Sequence, residues 1–169
     1  ITGMFAFNSY NNFITGAVVG VEGEIVTQAA CSEWPCSCGD TIAVDITMNS
    51  SLTGCSGSNG LKIAAAHITL DCAGYSISGD KTGEYIGIAS NNHLTNVTIK
   101  NCMVDGWDDG IRGPIGSVST AADWTIFNST VHNITDTGIT VNFGTSGAGA
   151  EGTNITNNTI YGVGDNPLD

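Results

Sequence analysis

The sequence predicts an all-β fold, a right-handed parallel β-helix in which short strands stack into a solenoid of about four to five coils behind an extended N-terminal arm or cap. Three observations carry this expectation. A motif recurs four times along the chain, β-forming Thr, Ile and Val occur in short runs punctuated by Gly, Asn, Asp and Ser, and 23 glycines stand against 3 prolines in 169 residues.

The recurring segments are Ile68-Thr-Leu-Asp71-Cys72, Val97-Thr-Ile-Lys-Asn101-Cys102-Met-Val104, Trp124-Thr-Ile-Phe-Asn128-Ser-Thr-Val131 and Thr153-Asn-Ile-Thr-Asn157-Asn-Thr-Ile160. They share a template: a β-former, usually Thr, Ile or Leu, a variable residue, Asn or Asp, a small residue, any residue, Val or Ile. The Asp/Asn position falls at 71, 101, 128 and 157, in steps of 30, 27 and 29 residues. The first segment lacks the variable residue and takes a small insertion before Tyr75 and Ile77. A second marker keeps step with the first, a glycine before an apolar residue at Gly87-Ile88, Gly110-Ile111, Gly138-Ile139 and Gly162-Val163.

Each repeat is too short to bury its own apolar side chains, so stacking has to complete the core. Equivalent residues then lie one above another at about the 4.8 Å interstrand spacing. Asp71, Asn101, Asn128 and Asn157 are expected to form a polar ladder at a turn, and Leu70, Ile99, Ile126 and Ile155 an aliphatic ladder inside. An antiparallel β-sandwich would use similar strand signals. A leucine-rich repeat would need more than the five leucines present.

Residues 1–37 fall outside the template and read as an arm and cap, with residues 38–169 forming the β-helix. The arm holds Asn-rich polar stretches, the apolar run Phe13–Val21 and the acidic Val21-Glu-Gly-Glu24. The run is too short to span a bilayer. The arm is expected either to cover the open end of the solenoid or to pair with a neighbouring subunit as a donated strand. Ile1 suits a processed start, and Asn166-Pro-Leu-Asp169 carries no clear capping element, as expected of a chain that continues.

Lys62, Lys81, Lys100 and Arg112 are the only bases against sixteen acids, giving a net charge of −12. That field repels nucleic acid, anionic lipid and polyanionic sugars, leaving neutral, cationic or protein partners, copies of the chain itself above all. No cofactor is expected.

Cys31, Cys36, Cys38, Cys55, Cys72 and Cys102 form an even set suited to an oxidising compartment. They lack the paired spacing of a zinc site, and His67, His93 and His132 are scattered. Cys72 and Cys102 follow equivalent Asp/Asn positions and should stack on successive coils. Cys38 and Cys55 flank the first strand pair, which leaves Cys31 with Cys36. This is one of several connectivities that six cysteines allow, and sequence alone does not select it.

Six Asn-x-Ser/Thr acceptors, at Asn49, Asn96, Asn128, Asn133, Asn154 and Asn157, suggest N-glycans on a secreted chain. Of these, Asn49, Asn96 and Asn133 are favoured. A chain rich in Asn and Thr also generates such triplets by composition, and some acceptors are expected to be buried in stacked turns.

The repeat resembles the right-handed parallel β-helix of the pectate-lyase-like superfamily. The stretch Cys38-Gly-Asp-Thr-Ile, then Cys55, then Ile68-Thr-Leu-Asp-Cys72-Ala-Gly is similar to the opening of many secreted, often archaeal, surface proteins of that type, over about residues 38–165. The resemblance implies a fold more than an activity, because that superfamily holds lyases, hydrolases, adhesins and purely structural proteins.

For chemistry, the densest constellation is Asp105, Asp108, Asp109 and Arg112, with His132 about one coil later. Paired carboxylates run general acid/base hydrolysis of glycosides. Similarity to polygalacturonase-type hydrolases would make Asp108 and Asp109 the catalytic pair. Their Gly-His-Gly, Arg-x-Lys and Asn-Thr-Asp motifs are missing here, which favours a solvated acidic turn. Asp105, Asp108, Asp109 and Asp136 are an alternative Ca²⁺ set, without an EF-hand or glycine-aspartate nonapeptide. Trp107 and Trp124 would serve as a sugar-stacking platform if exposed, or cover core if not.

The sequence therefore predicts an extracellular structural protein, a subunit of a cell-surface filament, fibre or coat assembled head to tail. A β-helical carbohydrate-active enzyme and a glycan-binding adhesin are the alternatives.

Overall fold

The computed structural model describes residues 30–90, 94–113, 123–141 and 152–164, with the backbone of 166–168. Most of the arm, including the run 13–21, lies outside the described residues, as does His93. Strand β1 (Ala30–Cys31) is followed by successive triplets: β2 (Thr41–Ile42), β3 (Ile46–Thr47) and β4 (Leu52–Cys55), then β5 (Leu61–Ile63), β6 (Thr69–Asp71) and β7 (Ser76–Gly79). Next come β8 (Ile86–Ala89), β9 (Thr98–Lys100) and β10 (Met103–Asp105), and β11 (Asp109–Arg112), β12 (Thr125–Phe127) and β13 (Thr130–Ile134). The last triplet is β14 (Thr137–Thr140), β15 (Asn154–Thr156) and β16 (Thr159–Val163), before β17 (Asn166–Leu168).

From β2 onward every third strand pairs, and β1 pairs with β2, always in parallel. Sheet I has seven strands in the order β1-β2-β5-β8-β11-β14-β17, sheet II five in the order β3-β6-β9-β12-β15, and sheet III five in the order β4-β7-β10-β13-β16. The fold is an all-β parallel solenoid. Ala30–Cys31, within the predicted cap, joins sheet I by pairing with Thr41–Ile42.

The pleat explains the template. Successive side chains point to opposite faces of a strand, so Thr-Ile-x sends its middle residue inward. In sheet II, Leu70 pairs with Ile99, Ile99 with Ile126 and Ile126 with Ile155. The first three are completely buried and Ile155 is partly so. Leu52, Ile77, Val104, Val131 and Ile160 form the corresponding ladder of sheet III. Burying each such side chain contributes about 1.5–3 kcal/mol.

The glycine marker has a packing cause. Gly60, Gly87 and Gly110 sit where a Cβ would run into the backbone oxygen of the glycine one coil on. A Cβ on Gly87 would lie 2.5 Å from Val104 Cγ1 and 2.7 Å from Gly110 O. Gly60, which the sequence register did not include, heads this column. Gly162, which the register did include, belongs elsewhere: it is exposed on β16 with φ +61°, beside Asn133 at φ +59°. It was misplaced because a glycine-apolar pair also suits a left-handed turn.

Trp107 and Trp124 are core residues, 2% and 0% exposed, which removes the predicted stacking platform. The indole of Trp107 lies against Gly60, Gly79 and Gly87, whose missing side chains leave room for the ring. Its Nε1 donates to Ile77 O at 3.0 Å, and Trp124 Nε1 donates to Leu94 O at 2.8 Å, so neither polar handle is wasted.

Candidate functional site

Two clusters of polar side chains emerge from the stacking. The first is the ladder at the corner between sheets II and III. Asn101 Nδ2 donates to Asp71 Oδ1 at 2.8 Å, and Asn128 Nδ2 donates to Asn101 Oδ1 at 2.7 Å. Asn157 occupies the next rung by register, and no side-chain bond joins it to Asn128 among the described residues. Asn101, Asn128 and Asn157 have φ of 55°, 50° and 54°, the left-handed region that Asn tolerates best among residues with a side chain.

Asp71 stands one residue out of line. The strand register pairs it with Lys100, because the first repeat lacks the variable residue. Lys100 Nζ consequently meets Asp71 Oδ2 at 3.2 Å, while Ala73 N–H and the Asn101 amide bind Oδ1. Burial works to raise the Asp71 pKa, but the bonds from Asn101, Ala73 and Lys100 together outweigh it and hold the carboxyl below its ordinary value. Asp71, Gly74, Asn101, Met103, Asn128 and Thr130 line a shallow groove along this corner.

The second cluster is acidic. Asp108 and Asp136 lie one coil apart, tied by Asp136 N–H to Asp108 O at 2.9 Å. With Asp109 they place carboxylate oxygens within 4.8 Å of one another. Asp109 is buried, 2.8 Å from Arg112 Nη1, and accepts Thr137 N–H at 3.3 Å. Burial raises its pKa; Arg112 and Thr137 counter this, and Asp136 and Asp108 reinforce it. Asp108 accepts Thr135 Oγ1 at 2.6 Å.

Of the four predicted Ca²⁺ ligands, Asp105 is not in this cluster. It precedes the left-handed Gly106 and faces outward on sheet III, where it meets His132 Nδ1 at 3.3 Å and accepts Asn133 Nδ2 at 3.0 Å. His132 stacks on Tyr161 at 5.0 Å between centroids, away from the carboxylates of Asp108 and Asp109. The remaining three acids offer part of the six to eight oxygens that Ca²⁺ takes, with Asp109 already engaged by Arg112.

Disulfides join Cys31 to Cys36, Cys38 to Cys55 and Cys72 to Cys102, and no cysteine is free. Cys72–Cys102 bridges adjacent coils beside the groove, with a Cα–Cα distance of 4.7 Å. Such a set suits an oxidising environment. Among the described residues, no helix is long and apolar enough to cross a membrane.

Comparison with protein-family models, curated proteins and solved structures yields no match to this chain. Its fold and bonding define a disulfide-linked parallel β-solenoid.

Proposed function

We propose that this chain is an extracellular structural protein, a building block of a cell-surface filament, fibre or coat, joined head to tail to copies of itself. The observations that support this reading are the parallel stacking of all three sheets and the three disulfides, a combination suited to a durable scaffold in an oxidising environment. Ile46, Met48 and Leu52 are buried in the first strand triplet, and Trp34 packs against the same core.

A strand edge with unpaired backbone groups favours association, and a heterologous contact that does not close propagates as a filament. The arm of residues 1–37 is the segment proposed to make that contact durable. Sedimentation and negative-stain imaging over a concentration series test the reading. Polymers that deletion of residues 1–30 reduces to monomers support it; wild-type chain that stays monomeric at high concentration sinks it.

One geometric observation favours a second reading, a glycoside hydrolase. Asp108 and Asp109 each bring a carboxylate oxygen within 4.8 Å of the other, a close acid pair of the kind glycosidases use, and the raised pKa of Asp109 suits a proton donor. Reducing-sugar release from a polysaccharide panel, lost in Asp108→Asn, would establish it; no release from any polysaccharide removes it.

A further inference from the structure

The six acceptor triplets divide by backbone conformation. Asn96, Asn128, Asn133 and Asn157 all have positive φ, between 50° and 59°. At such positions a side-chain-bearing residue is disfavoured, and Asn is among the few that accept the conformation readily. Turn chemistry therefore accounts for Asn at these four places without reference to modification.

Three of the four also use their amide nitrogens between coils. Asn96 Nδ2 lies 3.0 Å from His67 Nδ1, Asn128 Nδ2 donates to Asn101 Oδ1 at 2.7 Å, and Asn133 Nδ2 donates to Asp105 Oδ1 at 3.0 Å. A sugar on any of these nitrogens would be attached at a hydrogen-bonded contact with the neighbouring coil.

Asn49 and Asn154 are different. Neither has a positive φ, so no turn conformation calls for Asn there. All six acceptor side chains are exposed, but unlike Asn96, Asn128 and Asn133 neither of these two makes a side-chain hydrogen bond among the described residues. Asn49 lies between β3 and β4 in the first triplet; Asn154 opens β15 in the last, facing outward in register with Thr125. The hydroxyl-bearing residue of the second triplet, Thr156, is exposed as well.

We infer that Asn49 and Asn154 are the N-glycan acceptors of this protein, and that the other four triplets are structural. The inference rests on the extracellular reading above. The donor is a phosphate-linked oligosaccharide presented by a glycosyltransferase. A bond forms between Asn Nδ2 and the anomeric carbon while the anomeric carbon–oxygen bond breaks. Its electron pair leaves with the phosphate, and Nδ2 gives one proton to a base of the transferase. Asn96 and Asn133, favoured from sequence together with Asn49, fall among the structural four because each combines a left-handed backbone with an amide engaged by the neighbouring coil. The two acceptors lie in the first and last triplets, so the central coils would carry no sugar.

Glycopeptide mass spectrometry of the full chain, secreted from a host that N-glycosylates, tests the assignment. The expected result is sugar on Asn49, Asn154 or both and on none of Asn96, Asn128, Asn133 and Asn157. Sugar on any of those four, or on none of the six, overturns it. Polymerisation is measured separately, so an unmodified chain that still forms filaments overturns this inference alone, and a glycosylated chain that stays monomeric overturns only the filament reading.

Discussion

Asn101 sits between two coils, giving its amide N–H to Asp71 at 2.8 Å and receiving that of Asn128 at 2.7 Å. One side chain therefore links three successive turns of the solenoid while holding a left-handed backbone position at φ 55°. The two duties, bonding and backbone, can be separated by mutation.

Asn101→Ala loses both bonds and places a Cβ-bearing residue without local hydrogen bonding at positive φ. The bonds are worth about 0.5–1.5 kcal/mol each and the conformation about 1–2 kcal/mol. Asn101→Gly keeps the conformation and loses only the bonds. Urea denaturation should rank wild type above Asn101→Gly and Asn101→Gly above Asn101→Ala; equal losses for the two variants would show that the backbone position carries no cost.

Removing the Cys72–Cys102 bridge frees a loop of 30 residues in the unfolded chain. The double variant Cys72→Ser/Cys102→Ser should lose about 3–4 kcal/mol in the chain-entropy account, with Cys31–Cys36 and Cys38–Cys55 retained in a peptide map. An unchanged denaturation midpoint would contradict a stabilising role for the inter-coil bridge.

Gly79 is a contact surface for Trp107. A Cβ there would lie 2.8 Å from Trp107 Cδ2 and 2.6 Å from Gly106 O, and the backbone oxygen cannot move aside as a side-chain end would. Gly79→Ala should therefore cost about 1–3 kcal/mol through overpacking, accompanied by a shift in Trp107 fluorescence. Gly57→Ala is the comparison: nothing lies within 4 Å of its Cβ, so any loss there comes from its φ of +69° and leaves the fluorescence unchanged.

Asp71 and Asp109 give opposite pH dependences. The Asp71 carboxyl is held below its ordinary value when folded, so just below about pH 4 the unfolded state binds more protons and stability falls with falling pH. Asp71→Asn should flatten that acid limb. Asp109 is shifted upward, so its contribution is present at low pH and is lost as pH rises through its folded value. Asp109→Asn should remove this decline above about pH 4. Denaturation midpoints across the acid range check both signs, and identical curves for the two variants would refute them.

Much of the architecture was legible before any coordinate. Stacking places each repeat in the same environment, so the inward Ile or Leu and the turn Asn recur in the sequence because the same position recurs in space. Cys72 and Cys102 follow from that periodicity, as does the polar ladder through Asn128. The ladder's first rung was only partly foreseen: the missing residue in the first repeat sets Asp71 opposite Lys100, and only its side chain reaches across to Asn101.

The sequence by itself determined the class of fold, the aliphatic ladder of Leu70, Ile99, Ile126 and Ile155 and the Asn residues of the corner turn, because those depend on local conformation and a repeated period. The tertiary structure alone decided which acids gather and which rings are buried. Asp105 and Asp108 are three residues apart, yet the turn at Gly106 directs one to His132 and the other to Asp136 on the next coil. Trp107 follows that turn into a socket of glycines drawn from three different strands or their approaches. Which face a side chain takes changes with every residue along a strand, so a single bend or insertion reassigns it, and only the stacked coils fix the outcome.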